Sequence, residues 1–188
     1  MYLTPADYRL QIRSEIKALL KGESDRKLDN AETAAVKMMR SYLARRYDVD
    51  NIFFIIHPHS EDIAYRSGQY FWYKPAGKTD DDILVYKCVE NAPAGTPVSN
   101  GDYFEQNDPR DAYINTIIVD LVIFLLHSKD SQRVIPEVRQ VRYDDAIAWL
   151  REVGAGKLDA DLPQKATNDP TYESFVRFSS YPRENQRY

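Results

Sequence analysis

The sequence has too little cysteine for a disulfide framework: Cys88 stands alone, which excludes an internal bridge and fits a reducing cytoplasm. No charged-then-apolar leader precedes the first helix pattern, so the expectation is a protein made and folded in the cytoplasm. Long uncharged apolar runs are missing too. A membrane span needs roughly 20 such residues; the most apolar stretch here is about half as long and carries Asp120. Positive charge is not in excess, because 25 Lys and Arg face 29 Asp and Glu, and the net charge of -4 argues against general nucleic-acid binding. Glycines are absent where phosphate binding would want them, since Gly154-x-Gly156 follows a helical pattern instead of opening one.

What is present is a chain of 188 residues with 43% hydrophobic content, enough for one domain with a genuine core and a smaller attached lobe. The centre is residues 111–127 (DAYINTIIVDLVIFLLH), where almost every position from Ile114 is apolar. A helix apolar all round is buried by neighbours on several sides. Asp108 as cap and Pro109 at the first position place its start near 109.

Three further helices surround it in this reading. Thr4-Pro5-Ala6-Asp7 opens one running to about Lys21, with Ile12, Ile16, Leu19 and Leu20 on one stripe and Gly22 as its stop. Asp29, with Glu32 as reciprocal partner, opens a second, whose Ala31, Ala34, Ala35, Met38, Met39, Tyr42 and Leu43 share a face. Pro136-Glu137 opens the last, through Val153, with Val138, Val141, Ala146, Ile147, Trp149 and Leu150 as its apolar positions and Trp149 against Phe124 and Leu125.

Between the second and central helices the period changes to that of strands. Residues 52–56 read as a strand or extended link, residues 65–74 and 83–89 as a hairpin, and Tyr103-Phe104 as a last short strand. The expected fold is therefore mainly α: a four-helix core from 1–54 and 108–162, a small antiparallel β insertion at 55–107, and an extended C-terminal arm at 163–188. The arm mixes helix breakers with apolar anchors, Tyr172, Phe175, Val176, Phe178 and Tyr181, and with Arg177, Arg183 and Arg187. That mixture suits strand addition to a partner's sheet edge, with the arginines on its carboxylates.

Candidate chemistry is sparse, and the expectation is no enzyme, no metal and no cofactor. His57-x-His59 with Glu61 and Asp62 has metal-ligand residue types, but Pro58 makes it a loop. Asp80-Asp81-Asp82 lacks the glycine and distal glutamate of a calcium loop and reads as a solvated turn. Cys88 reads as a small buried hydrophobe, His127 as a cation on the helix dipole, and Asp120 as a carboxylate facing Arg or Lys on a neighbouring helix or at a subunit contact.

The stretches MYLTPADY (1–8), SYLARRYDV (41–49) and VIPEVRQVRYDDAIAWLREVGAGKLDADLP (134–163) carry a resemblance to the Mu-like phage head-to-tail connector (adaptor) family. The resemblance implies a connector core forming a ring of copies, twelve in the family's usual form. The ring sits in the virion neck between the portal and downstream tail or stopper proteins, after assembly in the host cytoplasm. DNA passes its lumen without specific binding, and no membrane is involved. Residues 55–107 depart from shorter members and are similar to small chitin-binding-type modules through Tyr65-x-x-Gly68, Trp72-Tyr73, Val85-Tyr86 and Gly95-Thr96-Pro97. That second likeness implies an alternative: a carbohydrate- or receptor-binding accessory virion protein acting through Tyr70, Trp72, Tyr86 and Tyr103.

Overall fold

The structure is a computed structural model that describes residues 2–9, 11–12, 25–128 and 134–165. Three long helices form its main core. They are α2 (Asp25–Leu43), α4 (Ala112–Ser128) and α5 (Glu137–Ala155), with α4 packed against both others. Two short helices, α1 (Pro5–Arg9) and α3 (Val49–Ile52), flank them. A four-stranded sheet follows the order β1 (His57–Pro58), β2 (Tyr70–Tyr73), β3 (Leu84–Cys88), β4 (Phe104–Gln106).

This corrects the expected mainly α protein with a four-helix core and an antiparallel insertion: among the described residues the architecture is mixed, with five α-helices and a mixed sheet. The reasons are local. After Arg9 the chain turns, with the amides of Gln11 and Ile12 both donating to the Tyr8 carbonyl, so the expected first helix is five residues long in the described part. Its remaining stripe, Ile16, Leu19 and Leu20, lies outside the described residues. Residues 49–52 coil because the Asp48 carboxylate accepts hydrogen bonds from the amides of Asp50 and Asn51, a cap that draws Ile52 into the helix and leaves 53–56 as a link to β1. The sheet is mixed because the loop 59–69 carries the chain across one face, so that β1 pairs parallel with β2. The hairpin β2–β3 and the short strand β4 are antiparallel, as expected.

α4 begins at Ala112, three residues later than expected, since the Asp111 carboxylate accepts the Ile114 amide at 2.8 Å and takes the capping role given to Asp108. Its positions 117–123 are all buried, which accounts for the absence of a polar stripe. α2 starts at Asp25, a turn before the expected Asp29, and presents Leu28, Ala31, Ala35, Met39 and Leu43 to the core. α5 contributes Ala146, Ile147, Leu150 and Val153, and ends on Gly156 in the left-handed conformation. Gly154 serves a different end: a Cβ there would lie 2.7 Å from the Tyr42 carbonyl oxygen, so its missing side chain sets the close approach of α2 and α5.

The second core belongs to the β lobe, where Phe71, Tyr86, Cys88 and Phe104 line one face and Tyr65, Ala92 and Val98 close over it. Cys88 is fully buried, in agreement with its reading as a small hydrophobe. The lobe and the helices are joined by a chain of aromatic contacts, Tyr2 edge-on to Phe54 at 6.1 Å and Phe54 on Tyr70 at 5.1 Å.

Candidate interaction surfaces

Two buried polar nodes fix the N-terminal segment. Glu32 is 3% exposed and accepts the amides of Tyr2 and Leu3 and the Tyr8 hydroxyl. The sequence reading gave it to the start of α2; it instead holds the strand-like entry to α1. Burial pushes the Tyr8 phenol well above its ordinary range, with Glu32 adding to the shift. The second node is Arg110. Its guanidinium donates to Asp7 at 2.6 Å, to Asp108 at 2.7 Å and to the Tyr2 carbonyl at 3.1 Å. Burial opposes its charge, but Asp108 and Asp7 more than offset this and hold it protonated.

Asp120 is buried on α4 and faces Arg139 at 3.3 Å and Arg142 at 3.5 Å, both on α5, as expected of a lone acid in an apolar helix. Burial raises its carboxyl, and the two arginines pull it back in part. Trp149 does not reach Phe124 and Leu125. It is half-buried against Tyr113 near the start of α4, while Phe124 stacks on Tyr143 at 3.9 Å.

The histidine loop gathers no ligand set; among the described residues no three His, Cys, Asp or Glu side chains could hold a metal together. His59 packs among Tyr65, Phe71, Tyr73 and Phe104, with His57 on an exposed edge strand. In the 80–82 turn the Asp82 carboxylate accepts the Thr79 amide and hydroxyl, which lowers its carboxyl, and Asp80 pairs with Lys74.

His59 makes the lobe pH-sensitive. Burial lowers its basicity, with Glu61 acting in the other direction, so the unfolded chain takes up a proton first as the pH falls. Its contribution is complete above the unfolded value of about 6.5 and is lost as the pH drops from there through the lowered folded value. Wild type should lose more melting temperature between pH 7.5 and 5.5 than His59→Gln; equal losses would show that His59 is not the titrating group.

The four aromatics proposed as an insert surface do not meet. Tyr70 and Trp72 project from one face of the sheet, Tyr86 from the other, and Tyr103 packs beside Tyr86's face in the loop before β4. All four are half-buried. A glycan platform needs coplanar exposed rings on one side, and the sheet separates them. The eight proposed arm residues, Tyr172, Phe175, Val176, Arg177, Phe178, Tyr181, Arg183 and Arg187, lie outside the described residues.

Two exposed apolar features were not foreseen. A groove of about 330 Å³ runs beside β1, lined by Phe54, Ile55, His57, Ile63, Tyr65 and Tyr70, with Ile55 64% exposed. The other is at the start of α5: Val138 and Val141, read from sequence as core-facing, are 58% and 51% exposed, and Val134, three residues before the helix, is 92% exposed. The signal was available, because nine residues separate Val141 from the fully buried Leu150, which is about two and a half turns and places them on opposite sides.

The C-terminal part of the chain, from the approach to α4 through α5 and beyond, carries a likeness to a known family. Residues 108–178 match the family model described as Bacteriophage Mu, Gp36. This Gp36 match spans less than half of the chain and supports a Mu-like phage protein, related to the virion. It leaves out the N-terminal helices and the β lobe, and the likeness of the lobe to chitin-binding modules finds no support. No curated protein and no solved structure matches the chain. No helix among the described residues is long and apolar enough to cross a membrane.

Proposed function

We propose that this protein is a head-to-tail connector (adaptor) of a tailed phage, forming a ring in the virion neck beneath the portal. The observation that carries the reading is the match of residues 108–178 to the Mu Gp36 family. Two features support it. The α5 valine face and the lobe groove are apolar surfaces of the kind that partners bury, and a ring supplies a neighbour for every copy. The net charge of -4 suits a lumen through which DNA slides without being held. Portal and downstream stopper or tail proteins are the partners in this reading, and the protein acts as a structural component, with no catalysis of its own.

The test is a mass measurement by light scattering and electron microscopy on the purified chain, alone and mixed with its portal protein. A closed ring, free or bound to the portal, is the expected result. A chain that remains monomeric in both conditions would sink the proposal.

A further inference from the structure

The exposed face of α5 asks for an occupant. Val138 and Val141, one turn apart, form an apolar patch that the exposed Val134 continues in the residues before the helix, with exposed Glu137, Arg142, Asp144 and Asp145 beside it, and among the described residues no element covers the three valines. Patches of this kind on a helix are filled by an apolar segment laid alongside.

The chain itself contains a segment of fitting chemistry. The described part ends at Lys165, and 23 further residues follow in the 188-residue sequence. Taken as an extended strand, residues 172–181 put Tyr172, Val176 and Phe178 on one side. Arg177, on the other side of that strand, and Arg183 and Arg187 beyond its end supply positive charge for the acids of the α5 face. The groove beside β1 is the competing seat and fits less well. Pro58 has no N–H to offer an added strand on that edge. The Gp36 match, moreover, includes both α5 and the chain as far as Phe178 while leaving out the lobe, so the segment and the valine face belong to one inherited unit.

We propose that residues 172–181 of one copy lie along Val138 and Val141 of α5, and Val134 just before it, in a neighbouring copy, with Arg177 and the following Arg183 and Arg187 meeting Glu137, Asp144 and Asp145. The inference rests on the ring reading above and specifies which surfaces join the copies. Each copy would give one segment and receive another, a head-to-tail contact that closes as a ring.

A cysteine pair tests it, because the native Cys88 is buried and does not compete. The full-length Val141→Cys, Phe178→Cys double variant is assembled, with portal protein if the ring requires it, and treated with a mild oxidant. A non-reducing denaturing gel should show a ladder of dimers and higher multiples that neither single variant gives. A link confined to monomers would mean that the segment folds back on its own α5, and would overturn the exchange between copies. An assembled ring without any link would overturn the docking site while leaving the connector reading intact. A chain that stays monomeric fails both, and the mass measurement separates that case. As a second readout, Val141→Asp should weaken assembly at least about tenfold in concentration, a loss of roughly 1.4 kcal/mol, with the melting temperature of the monomer unchanged; unaltered assembly would count against the site.

Discussion

Leu121→Ala should destabilise the protein by about 2–5 kcal/mol, the range for removing a fully buried leucine whose surroundings cannot collapse. Leu121 has no exposed surface and sits within the continuously buried 117–123 stretch of α4. α2 and α5 both pack on this helix, so the walls of the new cavity are themselves anchored. Trp149→Ala, which the sequence ranks as severe, should cost less, about 1–2 kcal/mol. Its ring is half-buried and leans on Tyr113, itself 53% exposed. Urea unfolding followed by far-ultraviolet circular dichroism compares the two directly. A Trp149→Ala midpoint as low as that of Leu121→Ala would mean that the core is centred elsewhere.

Arg110→Met should be comparably damaging. The Arg110 side chain is 3% exposed and its partner Asp7 is 11% exposed, so the substitution leaves the Asp7 charge without its cation, with only the neutral donors of Thr4 and Asn115 on it, and takes the guanidinium from the Tyr2 carbonyl. Removing one member of a buried pair costs about 3–5 kcal/mol, mostly from the charge left behind. That origin is testable: adding Asp7→Asn to Arg110→Met should restore part of the loss, since the stranded charge is gone. Strict additivity of the two single effects would show that Asp7 and Arg110 are not coupled.

How much could be read in advance depended on the range of the forces involved. α4 was legible because burial on all sides writes itself into composition, and the β2–β3 hairpin because alternation and turn residues are local signals. Asp120 announced its arginines by the cost of an unpaired buried acid. Glu32 and Arg110 were not legible in the same way. Both act on residues 2–8, far away in sequence, and nothing near either position marks that reach. Asp48 was not legible as a cap: it puts Val49–Ile52 into a short helix that takes only Ile52 from the apolar run, while 53–56 form a link ahead of the first strand at His57–Pro58. Of the binding surfaces, Val138 and Val141 follow the helical period of α5 on the side away from Leu150, and apolar character alone does not distinguish that side from the core side. The groove needed the parallel placement of β1, which only the folded loop 59–69 supplies.

Cys88 is sealed under Tyr65, Phe71 and Phe104 in the lobe's own core, its thiol donating to the Glu90 carbonyl and made less acidic by burial. A thiol reagent can reach it only when the lobe opens, whatever the three long helices are doing. The rate at which this thiol is modified in the native protein therefore measures the free energy of opening the lobe by itself. The chain carries its own clock for local unfolding, one that would run slower if a bound partner clamped the lobe shut.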